Sequence, residues 1–304
     1  MEYYSGLIDE IVKKLSIESG KDVLENINKK HNLKYGVKIE KYNIDSDYLA
    51  EAYHKEKGLY TIISIGNVLY ASNEILKYYQ NLLEEELGSY LKINNDDSIL
   101  VVGLGNENIG ADSLGSKVID KIIVTRNILN YTPLVSAISP GVLGKTGVES
   151  ADIISGVIDK IKPNKLVIID SLCASSSSRL ACSIQITNTS IVPGAGVGNN
   201  RKTITKGDSV KDIVVIGVPM LIYASTYISE NISIDKIMKK LSKTLDLDYQ
   251  KLKKLMSNEN LYVSQNYNDV VTLKDIDMHT QILANIISKA INKTILKIED
   301  FGEI

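Results

Sequence analysis

The 304-residue sequence has no tryptophan, one phenylalanine, two cysteines, three histidines and five prolines. Two thiols, Cys173 and Cys182, cannot staple a chain this long. A disulfide framework is therefore excluded, and a reducing, cytoplasmic setting is expected. With only His31, His54 and His279, histidine-based catalysis and histidine-rich metal sites have little to draw on. No apolar run approaches the ~20 residues that a membrane-spanning helix requires. The opening Met1-Glu-Tyr-Tyr-Ser-Gly6 lacks the basic flank and apolar stretch of a secretory signal, so none is expected. Neither sign of charge dominates. A net charge of -2 creates no field that would gather nucleic acid or an anionic membrane surface. What is plentiful is apolar residue content, at 44%, enough for a large core in one big domain or two.

Apolar residues at Leu7, Ile11, Leu15, Val23, Leu24 and Ile27 predict a helix within 7–30. Alternation over 36–43 and an apolar run over 59–65 predict two strands, and 73–92 reads as a polar helix. From there the pattern changes. Ile99–Val102, Leu166–Ile169 and Ile213–Ile216 are continuously apolar, as strands buried on both faces of a parallel sheet are. Helical spacing falls between them, near 112–124 and 149–162. The fold class is therefore α/β, with a mostly parallel central sheet and flanking helices. Residues 233–257 read as polar helix, and a long amphipathic helix is predicted at 274–298. The organisation expected is N-terminal helix and strands packed on the core over 1–95, an α/β catalytic core over 96–230, and a C-terminal helical segment over 231–304 completing the same domain.

In open α/β sheets, ligands gather beyond the carboxyl ends of the strands. Four glycine-rich or polar segments fall there: 103–112, 139–147, 170–178 and 193–199. They supply candidate substrate-binding positions at Gly105, Asn106, Gly141, Gly144, Gly196, Gly198 and Asn199. The first segment is not a dinucleotide loop, because Asn108 stands where Gly-x-Gly-x-x-Gly needs its third glycine. The second contains Gly144-Lys145-Thr146 after an expected strand. With Asp170 closing the next strand, it permits a P-loop-like nucleotide hydrolase. Ser139 in place of the leading glycine, and Pro140 with no N–H to give, argue against that reading.

The tripeptide Asp-Ser-Leu occurs twice, at Asp112 and at Asp170, each time beyond an apolar run. Two carboxylates at neighbouring strand ends can share a proton, since like charges at close range do not both ionise comfortably. One can then activate water while the other protonates a leaving group, which suits amide hydrolysis without histidine, metal or an activated serine. A structural role competes with this reading, with Asp112 as an N-cap and Asp170 as a turn residue. Cys173 has no histidine near it in sequence, which suggests an idle thiol. The serine run at 175–178 lacks a nucleophile elbow, and Lys145 could be a solvated loop charge. No cofactor or metal site is expected.

Several segments together carry a resemblance. Val101-Val-Gly-Leu-Gly-Asn106, Ala111-Asp-Ser-Leu-Gly115, Ile138–Glu149, Ile168-Ile-Asp-Ser-Leu172, Thr189–Lys202 and Ile216-Gly-Val-Pro219 are similar, in order and spacing, to the germination protease of endospore-forming bacteria. The resemblance implies an endopeptidase that degrades small acid-soluble spore proteins when spores germinate, in the cytoplasm of the forespore and spore core. It places the family's two essential aspartates on Asp112 and Asp170. It also implies a fold related to hydrogenase-maturation peptidases, a homotetramer and an inactive precursor. Family cleavage sites have a small hydroxyl residue, an acidic one, a large apolar one, then small and acidic positions. Ser5-Gly-Leu-Ile-Asp-Glu10 follows that outline loosely and implies self-processing between Gly6 and Leu7. The other open alternative is a non-catalytic binding protein that kept the fold.

Overall fold

The structure is a computed structural model describing residues 28–30, 33–53, 55–192, 202–204, 208–231, 234–244, 248, 250–251 and 269–297. The helix expected within 7–30 lies almost wholly outside these residues, as do Gly6 and Leu7. The part that is described corrects the expectation, because Asn28–Lys30 is a strand paired with a neighbour.

The strands in chain order are β1 (Asn28–Lys30), β2 (Lys38–Ile44), β3 (Gly58–Ser64), β4 (Ser98–Gly103), β5 (Leu134–Ile138), β6 (Lys165–Ala174), β7 (Ser183–Thr187), β8 (Asp212–Tyr223) and β9 (Val270–Val271). The helices are α1 (Asp47–Tyr53), α2 (Asn73–Tyr90), α3 (Leu114–Ile119), α4 (Leu143–Thr146), α5 (Ser150–Ile161), α6 (Ala224–Asn231), α7 (Ile234–Thr244) and α8 (Ile276–Leu296). Among the described residues the strands form one sheet ordered β1-β2-β3-β7-β8-β6-β4-β5, with β9 against β8. The neighbours β8, β6, β4 and β5 are parallel, whereas β1, β2, β3 and β7 join antiparallel. The expected α/β class and mostly parallel core are thus present.

The continuous apolar runs follow from cover on both faces. On one face Ile99, Val101, Val167, Ile169, Val214 and Ile216 pack beneath α2, α3 and α8. On the other, Leu100, Val102, Leu166, Ile168, Ile213 and Val215 pack with Ile154 and Ile158 of α5. Each fully buried Leu or Ile contributes about 1.5–3 kcal/mol of hydrophobic stabilisation. α2 starts where the Ser72 hydroxyl accepts the Ile75 N–H at 3.4 Å, and it buries Tyr79, Leu83 and Leu87, spaced four apart. α8 buries Leu283, Ile287 and Ile291 in the same way.

Charged and polar groups collect at the amino ends of the parallel strands. Lys165, 7% exposed, meets Asp212 at 2.6 Å and Asp97 at 3.7 Å. Asp97 also accepts from the Asn94 N–H at 2.7 Å and from Asn164 Nδ2 at 2.8 Å. A buried cation with partners this close is satisfied, and its place at the end away from the glycine-rich loops gives it a structural role.

Candidate active site

β4 ends at Gly103, and the chain turns through Leu104-Gly105-Asn106 before the 3-10 turn Gly110–Asp112. Gly105 has φ +107°, and a Cβ there would sit 2.0 Å from the Asp112 carbonyl oxygen and 2.9 Å from Oδ1. Only glycine tolerates both the backbone angle and the approach. That approach lets the Asn106 N–H donate to Asp112 Oδ2 at 2.8 Å. α8 fixes the turn from outside. Thr280 Oγ1 donates to the Gly110 carbonyl at 3.1 Å, and a Cβ on Gly110 would lie 2.1 Å from Asp277 Oδ1. The N-cap position of α3 belongs to Ser113, so the competing N-cap role for Asp112 does not hold.

Asp170 was expected to close its strand. Instead β6 continues four residues further to Ala174, along β8, with a register shift between Leu172 and Cys173. The pairing of β4 with β6, however, does end there, at Gly103 opposite Ile169. Asp170 is therefore the first β6 residue beyond the β4 ladder. Alternation puts its side chain on the face of Ile168 and Leu172, the α5 side. It is 5% exposed, and its Oδ1 accepts the Ser171 N–H at 2.9 Å. Across the sheet from it stands Gly217.

The two copies of Asp-Ser-Leu share one end of the sheet. The Leu104 N–H donates to the Ile169 carbonyl at 2.8 Å, stitching the loop after β4 to the residue before Asp170. Two residues on, the same loop grips Asp112. Alongside lies a cleft of about 210 Å³, lined by Gly105, Asn106, Glu107, Ser139, Pro140, Gly141, Val142, Lys145 and Thr146. It gathers three of the expected substrate-binding residues, Gly105, Asn106 and Gly141. Gly144 is exposed on α4 and is not part of the lining. Gly196, Gly198 and Asn199 lie outside the described residues. Neither Asp112 nor Asp170 is part of this lining; Asp112 is tied to it by the hydrogen bond from the Asn106 N–H. An ion pair between Lys145 and Glu107 joins the segment after β4 to that after β5. Lys145 is therefore paired and not a solvated loop charge.

The sequence model of the germination protease family matches residues 8–266. The chain belongs to the germination protease family. It is 35% identical over 274 residues to the germination protease of Caldanaerobacter subterraneus subsp. tengcongensis, covering 84% of each chain. The Clostridium tetani germination protease is 35% identical over 289 residues, covering 88% of each, and that of Clostridium acetobutylicum is 34% identical over 291, again covering 88% of each. Among solved structures, the [NiFe] hydrogenase maturation protease HycI of Thermococcus kodakarensis matches with a TM-score of 0.33 and 17% identity, over 67% of this chain and 97% of that one.

As a germination protease family member the protein is a peptidase, and other chemistries at the site can be weighed against its geometry. The phosphate-cradle reading of Gly144-Lys145-Thr146 is overturned. These residues do not run directly into the N-terminus of a helix. They are the last three of the four-residue α4, which stops at Gly147 with φ +72°, and α5 begins only at Ser150. A helix end of that polarity presents carbonyls, not N–H groups. The Thr146 hydroxyl is engaged by the Val142 and Val148 backbone. His279 is buried, with Nδ1 3.0 Å from the Asp275 carbonyl and Nε2 3.1 Å from Asn67 Oδ1, and it serves packing. No group of three or more His, Cys, Asp or Glu side chains among the described residues is arranged to hold a metal ion. No helix among them is long and apolar enough to cross a membrane.

Cys173 is buried, and burial pushes its thiol up to about 11. A thiol held protonated is a poor nucleophile near neutral pH. Cys173→Ala should retain peptidase activity within twofold, and iodoacetamide at pH 8 should leave Cys173 unmodified in the folded protein. Loss of activity with an unchanged fold would restore cysteine chemistry to consideration.

Proposed function

We propose that this peptidase is an endopeptidase of germination, that its substrates are the small acid-soluble spore proteins, and that Asp112 and Asp170 activate the attacking water. One aspartate, ionised, takes a proton as water adds to the scissile carbonyl carbon. The other, protonated, hydrogen-bonds the carbonyl oxygen. The C–N bond then breaks and the leaving amine takes a proton from the pair. The acid and base roles are assigned to the pair and not to either residue alone. The observation that carries this reading is the backbone link between the two copies of Asp-Ser-Leu. The loop that holds Asp112 through Asn106 is the loop bonded to the residue before Asp170. The relatives' shared name supports the germination role.

The same reading makes the enzyme a homotetramer of the forespore cytoplasm, made as a precursor that cuts itself between Gly6 and Leu7. Incubation of the protein with a purified small acid-soluble spore protein, followed on a gel, tests the function. Discrete fragments are expected, and their formation should be unaffected by EDTA. An intact substrate after prolonged incubation would refute the proposed specificity. Activity lost in EDTA and restored by one divalent ion would refute the aspartate-only chemistry.

A further inference from the structure

Among the described residues, β5 is the last strand of the sheet on the side of the cleft. The Leu134 N–H donates to the Asp97 carbonyl at 2.9 Å, so Leu134 turns its backbone groups toward β4. By alternation Ser136 and Ile138 do the same, while Val135 and Ala137 turn theirs outward. The outward groups of Val135 are used. Its N–H donates to Thr125 Oγ1 at 2.8 Å, and its carbonyl accepts the Thr125 and Arg126 N–H groups, each at 3.1 Å. Two residues further, the outward N–H and C=O of Ala137 have no hydrogen-bond partner among the described residues. The chain then continues through Ser139, Pro140 and Gly141 straight into the cleft lining.

Among the described residues, the edge is thus plugged at one end and open at the end that reaches the cleft. Open strand edges are templates for another chain, and proteins usually block them along their whole length. Here the block stops where the cleft begins. We propose that the Ala137–Ser139 edge of β5 binds the substrate polypeptide as an added strand and feeds it into the cleft beside Asn106. The inference rests on the endopeptidase reading above. An outward N–H and C=O on one residue match one residue of an extended peptide whatever its side chain, and side chains at every second position then face protein pockets. The plug that covers Val135 also carries Ile128 and Leu129, the latter 89% exposed, and the cleft side carries exposed Leu143. These offer apolar contact at both ends of a docked strand.

Proline is tolerated on an edge strand where the N–H faces away from the sheet. Ala137→Pro should therefore keep its Tm within 2 °C, raise KM for a small acid-soluble spore protein about tenfold, and leave kcat within twofold. A folded Ala137→Pro variant with unchanged KM overturns the proposal. So does one whose solution mass changes while KM does not, since the edge would then join subunits. Should Ala137→Pro not fold, hydrogen exchange decides, using the Asp112→Asn variant and an excess of the spore protein. The segment 134–139 should retain one or two more protected amides when the substrate is added, and exchange there that does not change overturns the proposal. The endopeptidase reading is judged separately, by whether the wild type cuts the spore protein. The exchange measurement needs no cleavage, so the two can fail independently.

Discussion

Asp112→Asn and Asp170→Asn are each expected to lower peptide cleavage by at least ~10³-fold, in the range that loss of a positioned acid or base produces. The fold should survive both changes. Asp112 accepts the Asn106 N–H at 2.8 Å, and Asp170 accepts the Ser171 N–H at 2.9 Å. An asparagine has the same shape and keeps one carbonyl oxygen to accept either bond. What it cannot do is hold or release a proton. The circular dichroism spectrum and Tm should therefore match the parent while turnover collapses. Alanine is the poorer test. It orphans the Asn106 or Ser171 N–H at a cost of about 1–3 kcal/mol and mixes stability with chemistry. The double variant should be little worse than either single one, because partners that act as a unit do not contribute additively. Near-normal activity in either folded single variant would remove that residue from the mechanism.

Much of the architecture that carries these aspartates was readable from pattern alone. The three apolar runs became β4, β6 and β8, parallel and covered on both faces. The helices expected at 73–92 and 274–298 appear as Asn73–Tyr90 and Ile276–Leu296. What escaped was set by contacts distant in sequence. The helix expected over 112–124 ends at Ile119, and Asn292 of α8 secures the exit by bonding the Lys121 carbonyl and the Ile123 N–H. β7 was not anticipated. Its Ser-Ile-Gln-Ile-Thr alternates as a surface strand would, yet all five residues are buried between β3 and β8. The repeated tripeptide shows the same limit. Asp-Ser-Leu leads from a 3-10 turn into α3 at 112–114 and lies inside a strand at 170, because Gly103 ends β4 whereas β6 keeps β8 as a neighbour. The sequence named the aspartates; the sheet register brings their segments together.

The glycine that lets α3 settle on β4 should be nearly as sensitive to substitution as the aspartates, but in stability. A Cβ on Gly115 would lie 2.2 Å from the Leu104 carbonyl oxygen and 2.5 Å from its nitrogen. A Cβ on Gly103 would lie 2.2 Å from the Gly115 carbonyl oxygen. Strand and helix therefore touch backbone to backbone, and no side chain can swing away to make room. Helix propensity alone says that Gly115→Ala, inside α3, should stabilise by about 1 kcal/mol. The contact says that it must push α3 off β4, at a cost of about 3 kcal/mol, toward the upper end for overpacking. Leu104, which holds Ile169, and Asp112, just before α3, would move with it. Gly115→Ala should thus lower Tm by about 4–6 °C and lower activity beyond what the residual folded fraction explains. Gly156 in α5 provides the opposite case. Nothing lies within 4 Å of a Cβ built there, so Gly156→Ala should raise stability by about 0.5–1 kcal/mol. Thermal unfolding of both variants checks the argument, because propensity gives the same sign at both positions and the close contact reverses it at one. A Gly115→Ala protein as stable as its parent would mean that α3 does not rest on β4 in this way.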